Sequence, residues 1–124
     1  MVLDASALLA LINSEPGAEI VADALAGASI SAVNLCEVVT KMIDFGMPPE
    51  EAWSAAADLV PIVVDFGPEL ARATAQLRTA TRSAGLSLGD RACLALAEKL
   101  RLPALTADRS WQTLSVGVEI RLIR

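Results

Sequence analysis

The sequence predicts a three-layer α/β domain, in which helices cover both faces of a parallel β-sheet. The chain has 124 residues and 54% apolar side chains, which is enough for one domain with a single core, so we expect residues 1–124 to form one domain. Five short apolar runs have the length and composition of buried strands. Helical segments separate each run from the next, as parallel strands joined by right-handed crossovers require.

The predicted elements follow one another in a regular order. Strands are predicted where apolar and β-branched residues cluster, and helices where apolar residues recur at three- and four-residue intervals. The predicted strands cover residues 2–3, 28–31, 61–64, 103–106 and 118–123. The predicted helices cover residues 5–12, 17–26, 33–45, 68–84 and 87–100, with a further helix that begins at Pro48 and Pro49. Gly27, Gly46 and Gly85 end three of them, because glycine readily takes the left-handed conformation that closes a helix.

The lack of histidine and the positions of the two cysteines limit the catalytic mechanisms that are open to this chain. The chain has no histidine, so it lacks the usual general base of serine and cysteine hydrolases and of metal-free ribonucleases. Any hydrolysis must therefore take its activated water from elsewhere, and a metal ion is the obvious source. Cys36 and Cys93 form no CxxC pair and have no histidine with which to complete a zinc site, so we interpret both as reduced core thiols.

Hydropathy and charge limit the localisation and the partners. The longest apolar stretches, residues 59–64 and 92–97, are far shorter than the ~20 residues that span a bilayer. Asp4 stands where a signal peptide would carry basic residues, so we expect a soluble, cytoplasmic protein. The net charge of −5 argues against a nucleic-acid partner, unless several carboxylates are gathered in a site where divalent ions reverse the local field.

Three acidic residues lie where parallel sheets bind ligands, outside the carboxyl ends of the strands. Asp4 ends the first predicted strand, Glu37 lies one turn into the helix after the second, and Asp108 follows the fourth. Clustered carboxylates repel one another, and hard cations such as Mg²⁺ or Mn²⁺ relieve that repulsion. The spacing therefore predicts a metal site at this edge of the sheet.

Each acid also has a purely structural interpretation. Asp4 and Asp108 have the positions of helix N-caps, and residues 87–90 have the spacing of a capping box that includes Asp90. Glu37 would be favoured near the positive end of its helix. Spacing alone does not decide at which end of the sheet Asp90 lies, because two helices are predicted between the third and fourth strands.

The four acids lie in four sequence segments, and the order and separation of these segments form a pattern that rarely arises by chance. The segments are Leu3-Asp4-Ala5-Ser6-Ala7-Leu8, Ile30-Ser31-Ala32-Val33-Asn34-Leu35-Cys36-Glu37-Val38, Leu86-Ser87-Leu88-Gly89-Asp90-Arg91-Ala92-Cys93-Leu94-Ala95-Leu96-Ala97 and Leu105-Thr106-Ala107-Asp108-Arg109-Ser110-Trp111. Any one of them is short enough to occur by chance. Together they resemble the PIN-domain ribonucleases of the VapC kind, the toxin half of bacterial VapBC toxin–antitoxin pairs.

The resemblance implies a PIN-like fold, with a five-stranded parallel sheet in the order 3-2-1-4-5 and the four acids in one pocket that binds Mg²⁺ or Mn²⁺. These acids are Asp4, Glu37, Asp90 and Asp108. It further implies a metal-dependent endoribonuclease that hydrolyses phosphodiester bonds in structured RNA and leaves 5′-phosphate and 3′-hydroxyl ends. Proteins of this kind are typically homodimers that bind a cognate antitoxin in a helical groove.

Five other residues of these segments are candidates to support the acidic pocket or to contact the substrate. By the resemblance, Ser6 and Thr106 support the pocket through hydrogen bonds that orient the carboxylates, with helix capping and a strand-end hydrogen bond as the alternatives. Asn34, one turn before the glutamate, is a candidate to hydrogen-bond that residue or the substrate. Arg91 and Arg109 adjoin two of the acids and are candidates for substrate phosphates, with pairing to neighbouring carboxylates as the alternative.

Two other hypotheses belong to different functional classes. A receiver-like signalling module is also a small α/β protein with acids at strand ends, and Asp65 follows the third predicted strand. Receivers carry a second acid beside the first, where this chain has Ala5 and Ser6. A PIN-like fold that only binds an antitoxin or another protein is the other alternative. An exposed apolar surface around Trp53, on the helix pair over residues 33–59, would suit a protein partner whether or not the chain is an enzyme. Trp53 is otherwise expected in the core, as is Trp111.

Overall fold

Five strands form one sheet at the centre of the molecule. The computed structural model describes residues 1–124. The strands are β1 (Val2–Leu3), β2 (Ser29–Ser31), β3 (Ile62–Val64), β4 (Ala104–Thr106) and β5 (Ile120–Leu122). They are arranged in the order β3-β2-β1-β4-β5, and every neighbouring pair is parallel. The predicted fold class and strand order are confirmed, and the order differs from the 2-1-3-4-5 of receiver domains.

Helices connect the strands and cover the sheet. They are α1 (Ala5–Ile12), α2 (Ala18–Ala24), α3 (Ala32–Asp44), α4 (Pro49–Ala57), α5 (Pro68–Gln76), α6 (Arg78–Thr81) and α7 (Leu88–Leu100). Short 3-10 helices cover Leu25–Gly27 and Arg109–Thr113. None of these helices combines the length and the apolar character that crossing a bilayer demands.

Two apolar cores lie on opposite faces of the sheet. Because successive strand residues point to opposite faces, Leu3 and Leu105 enter the larger core, which packs under α1 to α4. Their neighbours Val2 and Ala104 enter the smaller core, which contains α7 and Trp111. The sheet is therefore the middle of three layers, as the sequence predicts.

The predicted helix over residues 68–84 is wrong in its length. The structure interrupts it at Leu77, and α6 ends at Thr81. The Nη1 group of Arg91 donates to the Thr74 carbonyl over 3.1 Å, which in an unbroken helix accepts from the N–H of Arg78. This contact from α7 competes with the helix bond, and a pattern confined to residues 68–84 does not reveal it.

Two side chains expected in the core lie at the surface instead. Trp53 is 52% exposed, and the thiol-bearing residue Cys36 is exposed as well. Cys36 lies about 100° around α3 from the buried Leu35, so it leaves the face that packs on the sheet. The other two predictions are confirmed, because Cys93 and Trp111 are both fully buried.

Candidate active site

The four predicted acids line one open cavity outside the carboxyl ends of β1 and β4. Its volume is about 300 Å³, and most of the residues that line it are polar or charged. The charged and hydroxyl side chains around it are Asp4, Ser6, Glu15, Glu37, Lys41, Asp90, Asp108 and Arg124. The fold thus places Asp90 at the same edge as the other acids, a position that its spacing in the sequence left open.

Asp4 lies at the floor of the cavity, directly after β1, and is only 3% exposed. The Ser6 hydroxyl donates to its Oδ2 atom over 2.6 Å, and the Thr106 hydroxyl donates to the same oxygen over 2.9 Å. Asp4 has the N-cap position of α1 but makes no capping hydrogen bond with its side chain. Its carboxylate therefore faces the cavity, and Oδ1 accepts no side-chain hydrogen bond.

The two hydroxyls are themselves fixed by the chain after β4. The Ser6 oxygen accepts from the N–H of Ala107 over 3.0 Å, and the Thr106 oxygen accepts from the N–H of Asp108 over 3.1 Å. Each oxygen accepts a backbone N–H through a lone pair, which orients the hydroxyl so that its proton points at Asp4. This network ties the end of β1 to the loop that carries Asp108.

Burial and mutual repulsion make two of the acids, Asp4 and Glu37, harder to ionise. Burial raises the pKa of Asp4 above its ordinary 3.8, the bonds from Ser6 and Thr106 lower it, and the charge of Asp90 raises it again. Burial also raises the pKa of Glu37 above 4.5, and the charges of Asp4 and Asp90 add to that effect. Negative charge is thus concentrated here, and favourable contacts offset it only in part.

Asp90 and Asp108 combine capping with a place at the cavity. The Asp90 Oδ2 atom accepts from the N–H of Ser87 over 2.9 Å, and the Ser87 hydroxyl accepts from the N–H of Asp90, which completes the predicted capping box. The Asp108 Oδ1 atom accepts from the N–H of Ser110 over 2.9 Å. Each cap occupies one carboxylate oxygen, so the structural and the functional interpretations of these residues are compatible. Asp108 is exposed and lies at the rim.

Asn34 joins the two helices that supply Glu37 and Asp90. Its amide nitrogen donates to the Gly89 carbonyl over 3.0 Å, and the residue is completely buried. The amide also lowers the pKa of Glu37. Asn34 therefore holds the start of α3 against the first turn of α7.

The structure does not bring the two predicted arginines into the cavity. Arg91 points to α5, as described above, and the Nε atom of Arg109 donates to the Arg124 carbonyl over 3.3 Å. Neither guanidinium forms an ion pair with an aspartate or glutamate side chain. Their contact with substrate phosphates remains a prediction that the lining of the cavity does not favour.

Sequence reasoning missed the basic residues that do line the cavity, Lys41 and Arg124. Lys41 follows Glu37 by four positions, the spacing at which helical side chains are neighbours, so this one was detectable. Arg124 gave no such signal, because only the tertiary fold places the residue after β5 beside the loop after α1. Its Nη2 atom pairs with Glu15 over 2.9 Å.

The donor set fits a hard divalent cation by its chemistry. Carboxylate oxygens are the ligands that Mg²⁺ and Mn²⁺ prefer, and in Asp4 one such oxygen is left without a side-chain partner. As the side chains stand, no three of them are grouped closely enough to hold a metal ion. Closer approach of the carboxylates is opposed by their repulsion, which a cation between them would offset.

Fold and cavity together define an α/β domain with an acidic site at the carboxyl edge of its sheet. A model of the PIN domain family matches residues 1–116, so the chain belongs to the PIN domain family. PIN domains are generally nucleases, which agrees with a cavity of carboxylates. Among curated proteins, no sequence matched the chain closely enough to count as a relative.

Several solved structures share this fold at low sequence identity. A toxin–antitoxin complex from Klebsiella pneumoniae is 19% identical with a TM-score of 0.73, covering 99% of this chain and 97% of that one. DNA-bound VapBC from Salmonella typhimurium is 18% identical with a TM-score of 0.74 and the same two coverages. FitAcB from Neisseria gonorrhoeae is 18% identical with a TM-score of 0.67, covering 96% and 94%. These likenesses show a common fold over nearly the whole chain.

Proposed function

We propose that this chain is a Mg²⁺- or Mn²⁺-dependent endoribonuclease, a single PIN domain that acts as the toxin of a type II toxin–antitoxin pair. The observation that carries the proposal is the cavity of a PIN-family chain in which Asp4, Glu37, Asp90 and Asp108 come together. The chain has no histidine to act as a general base in metal-free cleavage. Structured RNA is the proposed substrate, and phosphodiester hydrolysis is the proposed reaction.

The four acids would hold the metal, and they differ in how firmly they are placed. When bound, Mg²⁺ or Mn²⁺ supplies a water of lowered pKa and offsets the charge of the phosphate. Asp4 is the fixed point of the set, because two hydroxyls hold one of its oxygens and leave the other available. Asp90 and Asp108 are held by their caps, while Glu37 reaches the cavity from α3.

Lys41 and Arg124 give the cavity a basic side that suits the phosphates of RNA. Both line the same cavity as the acids. A substrate phosphate lying between the metal and these side chains would meet positive charge on two sides, although the chain as a whole carries −5. The proposed phosphate ligands are therefore Lys41 and Arg124, in addition to the arginines that the sequence suggested.

The proposed protein partner is a cognate antitoxin. The similar structures from Klebsiella pneumoniae and Salmonella typhimurium are a toxin–antitoxin complex and a VapBC complex. Trp53 of α4 is 52% exposed and lines one surface pocket with Ile43 of α3, which is 37% exposed, while Phe45 directly after α3 is 82% exposed. An apolar surface of this kind suits a protein partner. A homodimer and a cytoplasmic location belong to the same proposal.

The proposal is tested by incubating purified protein with a panel of structured RNAs in Mg²⁺ or Mn²⁺, and again with EDTA. We expect cleavage that EDTA abolishes and that Glu37→Gln reduces by about 100-fold or more, because a metal contributes several kcal/mol of charge stabilisation. Asp65→Asn is the matched control, since Asp65 follows β3 but is exposed and does not line the cavity. Cleavage that persists in EDTA, or that is equal in wild type and Glu37→Gln, would refute the proposal.

Ser6→Ala is expected to lower activity by about 10- to 100-fold and to shift its pH dependence. The Ser6 hydroxyl lowers the pKa of Asp4, so alanine at this position lets Asp4 keep its proton to a higher pH. The acidic limb of the pH–rate profile should therefore move to higher pH. Ser54→Ala, at an exposed position on α4, is the control. An unchanged acidic limb would show that Ser6 does not act on Asp4.

A further inference from the structure

The carboxylate of Glu37 lies directly against Gly89, in the first turn of α7. A methyl group built on the Gly89 Cα atom would overlap the Oε1 atom of Glu37 and lie 2.8 Å from Oε2. Gly89 is itself buried and immediately precedes Asp90. Because glycine has no side chain, the Glu37 carboxylate can occupy the space beside Gly89. It thereby reaches the end of α7 that carries Asp90.

The backbone at Gly89 gives no other reason for glycine. Its φ angle is not among the positive values in the chain, so an alanine can adopt its conformation. Glycine is also a poor helix former, and a helix of this length would gain from alanine at that position. Gly27 and Gly67, by contrast, have open space around them. What requires glycine at position 89 is the side chain that lies against it.

A second contact fixes the same pair of helices at the same residue. The Gly89 carbonyl accepts the hydrogen bond from the buried Asn34 amide, one turn before Glu37 on α3. The distance between α3 and the first turn of α7 is therefore set, and a larger residue at position 89 cannot be accommodated by moving the helices apart without breaking that bond. The positive end of α7 also offsets negative charge at this place.

We propose that Gly89 is a positioning residue, which places the Glu37 carboxylate beside Asp90 so that both face one metal ion. The proposal rests on the proposed metal-dependent nuclease. The atoms that a methyl group would meet are the far end of a flexible side chain. The overlap that Gly89→Ala creates is therefore relieved when the Glu37 side chain rotates away from α7. This rotation keeps the fold and removes one proposed ligand from the site.

The contact is tested first without metal, by thermal unfolding in EDTA of wild type, Gly89→Ala, Glu37→Ala and the double variant. In the Glu37→Ala background the space beside position 89 is empty, so alanine at 89 should raise Tm through its helix propensity. In the wild-type background the displaced carboxylate should cancel part or all of that rise. Equal changes in the two backgrounds would overturn the proposal.

The effect of Gly89 on metal binding is tested by the Mn²⁺ affinity of the protein, measured by electron paramagnetic resonance of the free ion. We expect Gly89→Ala to weaken binding by about 10- to 100-fold, the range seen when residues that orient metal ligands are changed. In the Glu37→Ala background the same substitution should cause no further loss. Gly27→Ala is the matched control and should bind as wild type does.

Two results would overturn the role of Gly89. The first is a wild-type Mn²⁺ affinity in Gly89→Ala, and the second is an equal loss on adding Gly89→Ala to Glu37→Ala, which would mean that glycine acts through the backbone. Failure of the proposed function gives a different result, because wild type would then neither bind Mn²⁺ nor cleave RNA while the coupling measured in EDTA persists. That outcome refutes the metal site, and with it the role assigned to Gly89 in serving it.

Discussion

Asp4→Asn is expected to abolish RNA cleavage and, at the same time, to make the metal-free protein more stable. Loss of the most buried acid removes a proposed metal ligand, which should lower the rate by about 100-fold or more. The asparagine carbonyl can still accept the Ser6 and Thr106 hydroxyls, which both bond to one oxygen of Asp4. Its NH₂ group would take the place of the other oxygen, at a cavity lined by further carboxylates.

The gain in stability follows from the raised pKa of Asp4. Its pKa in the folded protein lies above the ordinary 3.8, chiefly because of burial, so between these two values the folded state binds more protons than the unfolded state. Stability therefore falls as the pH rises through this window, and the penalty is complete only above the folded pKa. Asparagine carries no such penalty, because it has no charge to bury.

Thermal unfolding in EDTA at pH 7 and at pH 4 measures this effect. The Tm of Asp4→Asn should exceed that of wild type at pH 7, and the difference should shrink towards pH 4. Added Mg²⁺ should raise the Tm of wild type more than that of the variant, because a ligand stabilises the state that binds it. Asp65→Asn should behave as wild type in both respects. A lower Tm for Asp4→Asn at pH 7 would contradict the prediction.

Trp111→Ala is expected to have the largest effect on stability of any single substitution considered for this chain. The side chain is fully buried in the core beneath α7. Deleting a buried tryptophan costs about 3–5 kcal/mol, a large part of the roughly 5–15 kcal/mol that stabilises a domain. For a chain of this size the Tm should fall by roughly 10–20 °C.

Trp53→Ala provides the matched comparison, because Trp53 is 52% exposed. Its free energy of unfolding should change by about 0.5 kcal/mol or less. Trp111→Phe should cost less than Trp111→Ala, because phenylalanine leaves a smaller cavity, and the buried Nε1 atom has no hydrogen-bond partner to lose in either variant. Urea unfolding of the three variants measures all of these differences. Equal losses for Trp111→Ala and Trp53→Ala would show that the smaller core contributes little to stability.

Local patterns predicted most of the secondary structure, and they failed where a distant contact intervened. The capping box at Ser87 and Asp90 and the strand at Ile62–Val64 depend on neighbouring residues, so the sequence was enough to predict them. The break at Leu77 accompanies a bond from Arg91, which lies on another helix. The exposure of Trp53 likewise depends on which helix face meets the sheet, and composition does not reveal that.

The same distinction applies to the candidate site. Asp4, Glu37 and Asp108 were recognisable because each follows a strand, and parallel strands end at one edge. Asp90 was placed only by resemblance, and the missed Lys41 and Arg124 join the cavity through side-chain packing. Spacing along the chain does not predict which basic side chains point into the cavity and which point away from it.

By itself, the sequence determined the class of fold, the carboxylates of the proposed metal site and the lack of a histidine base, because periodicity and composition are properties of the chain alone. Only the tertiary structure decided that Asp90 reaches the same cavity, that Arg91 turns to α5, and that Gly89 makes room for Glu37. Those facts depend on how α3 and α7 approach each other. That approach results from burial of apolar faces across the whole domain, and no local pattern encodes it.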